Sequence, residues 1–133
     1  MFKFTVKCIS IAAIATLSFA TPAFADADED KAKAFLTGLS PSDHDVVCIA
    51  ALVKAMTVLK EKNTDADLIA KLDDATDFYF GRVSGRSPNG LKQAMNSGIN
   101  AYANSDSSIL GNIMIQCHSD YIEARKAVSS SIS

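Results

Sequence analysis

The stretch SPSDHDVVCIAALVKAMTVLKEK, residues 40–62, decides the fold because it combines a helix start with a long apolar face. Ser40 can cap a helix, Pro41 suits its first position and Asp43 lies three residues after the cap. Apolar residues then recur at steps of three and four, on one face: Cys48, Ile49, Leu52, Met56 and Leu59. This stretch predicts an amphipathic helix that ends near Lys62.

Helical patterns also dominate the rest of the sequence after residue 25, and the alternation typical of strands is absent. Four further helices are predicted: a short one over Asp28–Leu36 that stops at Gly38, one capped by Thr64 that ends at Gly85, one that carries Leu91, Ala94, Met95, Ile99 and Tyr102, and one from Asp106 to Val128. The tail Ser129–Ser133 is predicted to fray. We therefore expect an all-α fold, a bundle of about four helices plus a short N-terminal helix.

The first 25 residues, Met1–Ala25, resemble a secretory signal peptide. Lys3 and Lys7 precede an apolar run, and Ala23-Phe24-Ala25 forms a small-x-small cleavage site. A retained membrane anchor is the alternative, but the apolar run is shorter than the roughly 20 residues of a membrane span. Cleavage after Ala25 predicts a periplasmic protein without a stable membrane anchor, and it removes Cys8.

The predicted mature chain, 26–133, is a single domain that carries 11 basic and 15 acidic residues once Lys3 and Lys7 are removed, a net charge of −4. A mildly acidic domain is a poor general binder of nucleic acid or anionic membranes. We therefore expect no nucleic-acid partner, whereas another protein remains a candidate partner.

Two cysteines, Cys48 and Cys117, remain in the predicted mature chain. In an exported protein this pair favours one disulfide bond, and both residues lie on apolar helix faces. The bridge would join the first and last long helices. Two free thiols and metal ligation are the alternatives.

His44 and His118 lie within about one turn of the two cysteines. Reduced thiols with these histidines would form a zinc set, and Asp43 and Asp45 could add a weak surface site. A haem held without covalent bonds by a Met and a His is a further alternative. The simpler interpretation is a pair of histidines beside a disulfide, so no metal or cofactor is predicted.

The string FYFGRVSGR, residues 78–86, is the most distinctive in the sequence. Arg82 and Arg86 share one helix face, and their guanidinium groups could bind a carboxylate or phosphate of a ligand or partner. The structural alternative is a helix end where the arginines suit the negative C-terminus. Asp73, Asp74 and Asp77 could pair with these arginines or face solvent.

The signal, the two cysteines and the motif Tyr79-Phe80-Gly81-Arg82-x-x-Gly85-Arg86 together resemble a group of small exported bacterial proteins of uncharacterised activity. This resemblance implies a periplasmic location and an all-helical fold. A looser, fold-level likeness is to the acid-stress chaperones of the HdeA type, which are small helical proteins with one disulfide.

No pattern of catalytic residues is present, since the serines lie in caps, loops and the tail. We therefore expect a non-enzymatic binding or interaction module. An acid-stress chaperone and a carrier of a small ligand or haem are the two more specific alternatives.

Overall fold

The computed structural model of the chain describes residues 22–132. The predicted signal segment lies almost wholly outside these residues, as does Cys8, and its cleavage stays a prediction. Among the described residues, no helix is both long and apolar enough to cross a membrane.

Five α-helices account for nearly all of this segment, and no strand occurs within residues 22–132. They are α1 (Pro22–Thr37), α2 (Pro41–Glu61), α3 (Ala66–Arg86), α4 (Leu91–Ala103) and α5 (Leu110–Ile132), with a 3₁₀ turn, Ser107–Ile109, before α5. The predicted all-α bundle is therefore confirmed.

Helix α2 lies at the centre of the bundle and packs against α3, α4 and α5, while α1 packs against α5. Its residues Val46, Val47 and Leu52 are completely buried. The stretch with the strongest apolar pattern thus supplies much of the core, as expected when burial of apolar area drives folding.

The predicted disulfide is also confirmed. Cys48 of α2 and Cys117 of α5 are bonded, and both side chains are completely buried. The bridge joins two helices that are 69 residues apart in sequence through the centre of the core.

The cap of α2 is as predicted, but that of α3 is not. The Ser40 hydroxyl accepts a hydrogen bond from the Asp43 amide at 3.2 Å. At α3 the cap is Asp65, whose Oδ1 accepts from the Leu68 amide at 3.0 Å. Thr64 instead donates its hydroxyl to the Leu59 carbonyl at 3.3 Å, so it closes the end of α2.

Several helix ends differ from the predicted positions. α1 begins at Pro22, which suits the first helical position, and α3 ends at Arg86. Asp106 caps the 3₁₀ turn, so α5 begins only at Leu110, and it continues to Ile132 through most of the predicted frayed tail. The apolar face does not continue into the core there, because Val128 is 62% exposed.

Helix α4 packs against α2, and its Gly98 is buried in this contact. A Cβ atom added at Gly98 would overlap the side chain of Val46. From the sequence, this glycine only lowers the helix propensity, whereas in the fold it permits the contact. Ile99, which the sequence pattern assigns to the apolar residues of α4, is instead 47% exposed.

Candidate functional site

Two regions with polar side chains flank the disulfide. The first, here called the Asp45 junction, comprises Asp45 and His44 of α2 and Arg82 and Arg86 of α3. Asp45 is completely buried. Its Oδ2 accepts a hydrogen bond from Nη1 of Arg86 at 3.1 Å and forms an ion pair with Nε of Arg82, also at 3.1 Å. Its Oδ1 accepts a hydrogen bond from Nδ1 of His44 at 2.9 Å.

The charge of Asp45 is stabilised by these three side chains. Burial by itself raises the pKa of the carboxyl, because it disfavours the ionised form. The hydrogen bond from His44 and the positive charges of Arg82 and Arg86 outweigh burial, so the pKa lies below its ordinary value. Asp45 is therefore ionised, and its negative charge is balanced by the positive charges of Arg82 and Arg86.

Aromatic side chains connect the Asp45 junction to the disulfide. The Tyr79 hydroxyl donates to the Cys117 carbonyl at 2.7 Å, and burial raises the pKa of Tyr79 far above its ordinary value. The guanidinium of Arg82 lies 5.4 Å from the ring centre of Phe78 and 5.8 Å from that of Tyr79. These distances are within the range of cation–π attraction. Arg82 therefore contacts aromatic rings as well as the carboxylate of Asp45.

The structure thus brings Arg82 and Arg86 together, and the carboxylate that they contact belongs to the same chain. The carboxylate partner of the arginines is not one of the nearby acidic residues Asp73, Asp74 and Asp77, which are exposed. The arginine side chains remain 44% and 35% exposed. Contact of their outer surfaces with an anion or a partner stays a prediction.

The second region is an apolar groove of about 540 Å³ between α2, α3 and α5, here called the α2–α3–α5 groove. Its apolar lining includes Ala55, Leu59, Leu68, Leu72, Met114 and Ile115. Small-molecule sites are typically mostly apolar clefts of about 300–1,000 Å³. The groove therefore has the size and character of a ligand site.

His118 and Ser119 are the polar residues that line the groove. Nε2 of His118 is buried and has no hydrogen-bond partner among the described residues. Buried polar atoms are almost always paired in folded proteins, so an unpaired one calls for an explanation. Because Nε2 is inaccessible to solvent, a ligand in the open groove would meet other atoms of His118 and would not reach this nitrogen without a movement of the side chain.

The structure also bears on the metal and haem alternatives. Because Cys48 and Cys117 are bonded to each other, they cannot provide the thiolates of a zinc set. Within the described part of the chain, no group of three or more His, Cys, Asp and Glu side chains could hold a metal ion. Met114 and His118 both project from α5 into one groove, so they do not face each other across a haem.

Sequence reasoning missed two parts of this arrangement. Asp45 appeared only as a weak metal ligand, although its position beside the fully apolar Val46-Val47 pair is a signal of burial. The groove was missed because its lining combines residues from three different helices. Comparison of the chain with family models, with curated proteins and with solved structures found no match.

Proposed function

We propose that this chain is an exported, non-enzymatic helical protein that binds a small apolar ligand in the α2–α3–α5 groove. The observation that carries the proposal is the groove itself, with its volume of about 540 Å³ and its apolar lining. The Asp45 junction has a structural role in this proposal, because its donors and its carboxylate satisfy one another.

The location in the periplasm rests on the sequence. Lys3, Lys7 and the Ala23-Phe24-Ala25 site support export, and a buried disulfide agrees with an oxidising compartment. Binding without catalysis is favoured because His118 is the one titratable side chain in the groove lining. Acid–base catalysis or covalent catalysis would need further groups placed beside it.

Titration with phenylnaphthylamine, a dye that fluoresces in apolar surroundings, tests the proposal at neutral pH. We expect saturable binding to the native chain. Ala55→Phe places a large side chain in the groove and should abolish binding, whereas Val53→Phe, at an exposed position of the same helix, should leave it unchanged. Absent binding, or equal binding by both variants, would contradict the proposal.

An acid-responsive chaperone is the second candidate, and the Asp45 junction is the observation that favours it. Protonation of Asp45 would release the ion pairs that hold α3 against α2, and apolar side chains such as Phe80 and Ile99 are already about half exposed. We expect dye binding that increases below about pH 4 and persists in Ala55→Phe. A constant dye signal between about pH 2 and 7 would exclude this function.

A further inference from the structure

The α2–α3–α5 groove meets a second, smaller cavity. This cavity has a volume of about 180 Å³ and is lined by residues of α2, α4 and the first turns of α5. Ala55 and Met114 line both spaces, so the groove and the cavity adjoin at these two side chains. A methionine side chain is unbranched and adaptable, so Met114 can move to admit a hydrocarbon chain. A ligand in the groove can therefore extend into the smaller cavity.

One charged residue lines these two spaces, and it belongs to the smaller cavity. This residue is Lys54 of α2, which is exposed. The stem of a lysine can cover apolar surface while its ammonium group stays in water. Among the described residues, the lysines that form ion pairs are Lys33, Lys71 and Lys126, and not Lys54. The ammonium group of Lys54 is therefore available to an anion from outside the chain.

Tyr102 of α4 adds a neutral donor to the same cavity. Burial raises the pKa of Tyr102, so its hydroxyl stays protonated at neutral pH. A carboxylate has two acceptor oxygens, whereas an ammonium group and a hydroxyl both donate. The smaller cavity thus combines a cation and a second donor, which is the chemistry that a carboxylate group requires.

The surroundings of Lys54 also indicate where the charged end of a ligand lies. Burying an unpaired charge in an apolar site is strongly unfavourable, and the groove lining contains no Lys, Arg, Asp or Glu. At the exposed Lys54 a charged group keeps its contact with water. An anion is attracted to this position and a cation is repelled from it, so the site selects an anionic amphipathic molecule.

The volumes set the size of the apolar body. A water-sized group takes about 30 Å³ in a liquid, so the 540 Å³ groove holds at most about 18 such groups and the 180 Å³ cavity about six. A hydrocarbon chain of about ten carbon atoms fits within this limit. Two spaces that meet at Met114 also suit a flexible chain better than a compact ring system.

We infer that the groove and the smaller cavity together bind an alkyl carboxylate, with its carboxylate group at Lys54 and Tyr102 and its hydrocarbon chain running past Met114 into the groove. This inference rests on the proposed function and names the class of ligand for that site. It makes Lys54 the residue that determines which charge the ligand carries.

Displacement of bound phenylnaphthylamine by decanoate and by decylammonium tests the inference, since the two chains have equal length and opposite charge. Both are used below the concentrations at which they form micelles. We expect decanoate to displace the dye from the native chain at about threefold lower concentration, a modest ratio because ion pairs at exposed positions are weak. The predicted mature chain is net negative, so its overall charge favours the amine and cannot produce this result.

The variant Lys54→Glu should reverse the preference, so that decylammonium becomes the better competitor. Lys60→Glu is the matched control, because it makes the same change in net charge at an exposed position of α2 that lines neither space. It should retain the preference for decanoate. The comparison of the two ligands on the native chain does not depend on how any variant folds.

The outcomes separate the two proposals. If the dye does not bind the native chain, the proposed function is wrong. If the dye binds but decylammonium displaces it as well as decanoate or better, the ligand site stands and the inference about its head group is overturned. Equal responses of Lys54→Glu and Lys60→Glu would likewise overturn the role of Lys54.

Discussion

The two histidines of the chain lie in contrasting surroundings, although each is within about a turn of a disulfide cysteine. His44 donates a hydrogen bond to the buried Asp45, which also accepts one from Arg86 and forms an ion pair with Arg82. His118 lines an apolar groove, and its Nε2 has no partner among the described residues. The first histidine completes a polar network, whereas the second leaves a hydrogen bond open.

This difference distinguishes a structural role from a binding role. A network in which every charge is paired stabilises the fold and has little free capacity to bind a ligand. An unpaired buried polar atom destabilises the protein by the desolvation of that group. The α2–α3–α5 groove, which the ring of His118 lines, is the region to which the proposal above assigns ligand binding.

The largest expected effect comes from the disulfide that lies between the two regions. Replacing both Cys48 and Cys117 by Ala should lower the free energy of unfolding by about 4 kcal/mol, because closure of a loop of this length restricts the unfolded chain. Equilibrium unfolding in urea measures the loss. A loss below about 1 kcal/mol would mean that packing alone holds the two regions together.

Removal of the charge at the Asp45 junction should have the next largest effect. Asp45→Asn keeps the shape but leaves Arg82 and Arg86 without their anion, and should cost about 2 kcal/mol, less than a fully buried pair because both arginines are partly exposed. Asp73→Asn, an exposed control on α3, should cost almost nothing. Equal losses in the two variants would refute the structural role of the Asp45 junction.

The effect of Asp45→Asn on the free energy of unfolding should depend on pH. Because the pKa of Asp45 in the folded state lies below its ordinary value of about 3.9, its contribution is complete above about pH 4 and is lost as the pH falls through the lower folded value. The stability gap between the native chain and Asp45→Asn should therefore close in strong acid. Urea unfolding at two pH values measures it, and a gap that stays constant would contradict the assigned ionisation.

A smaller loss is expected where α4 touches α2 beside the Asp45 junction. Gly98→Ala gains helix propensity but forces the new Cβ against Val46, with an expected net loss of about 1 kcal/mol. Gly81→Ala is the matched control, because no atom lies within 4 Å of its added Cβ, and it should stabilise the protein. Thermal unfolding of both variants measures the difference, and stabilisation by Gly98→Ala would show that the contact is loose.

The smallest expected change concerns His118 itself. His118→Phe removes an unpaired polar atom, so without ligand the protein should be as stable as before or more stable by up to about 1 kcal/mol. His44→Phe removes a donor from Asp45 and should instead destabilise the protein. Urea unfolding of the two variants compares them, and equal destabilisation would remove the contrast between the histidines.

The sequence predicts the helices and the disulfide well because both depend on local patterns. The cap at Ser40 and the apolar stripe around Cys48 are each recognisable from residues within a few positions of one another. The apolar stripes of the first and last long helices also predict that both cysteines are buried. Predictions failed where two residues compete for a role, as Thr64 and Asp65 do at the start of α3. Such choices depend on how the preceding helix ends.

The candidate site was less predictable because it depends on contacts between helices. The arginine pair is visible in the sequence, but its partner Asp45 lies 37 residues before Arg82. Nearer acidic residues, such as Asp77, are present on the same helix as the arginines and are the more obvious candidates from sequence. The groove is lined by residues of α2, α3 and α5, so it depends on how three separate helices pack against one another. His118 becomes significant only when the fold places it in the lining of that groove.

Nuclear magnetic resonance of the histidine side chains tests the central claim most directly, because the chain has only two histidines. In a ¹⁵N-labelled sample, phenylnaphthylamine should shift the imidazole signals of His118, which lines the groove, and leave those of His44 unchanged, with His118→Phe providing the assignment. Signals that do not move at a saturating dye concentration, or a shift confined to His44, would contradict the account.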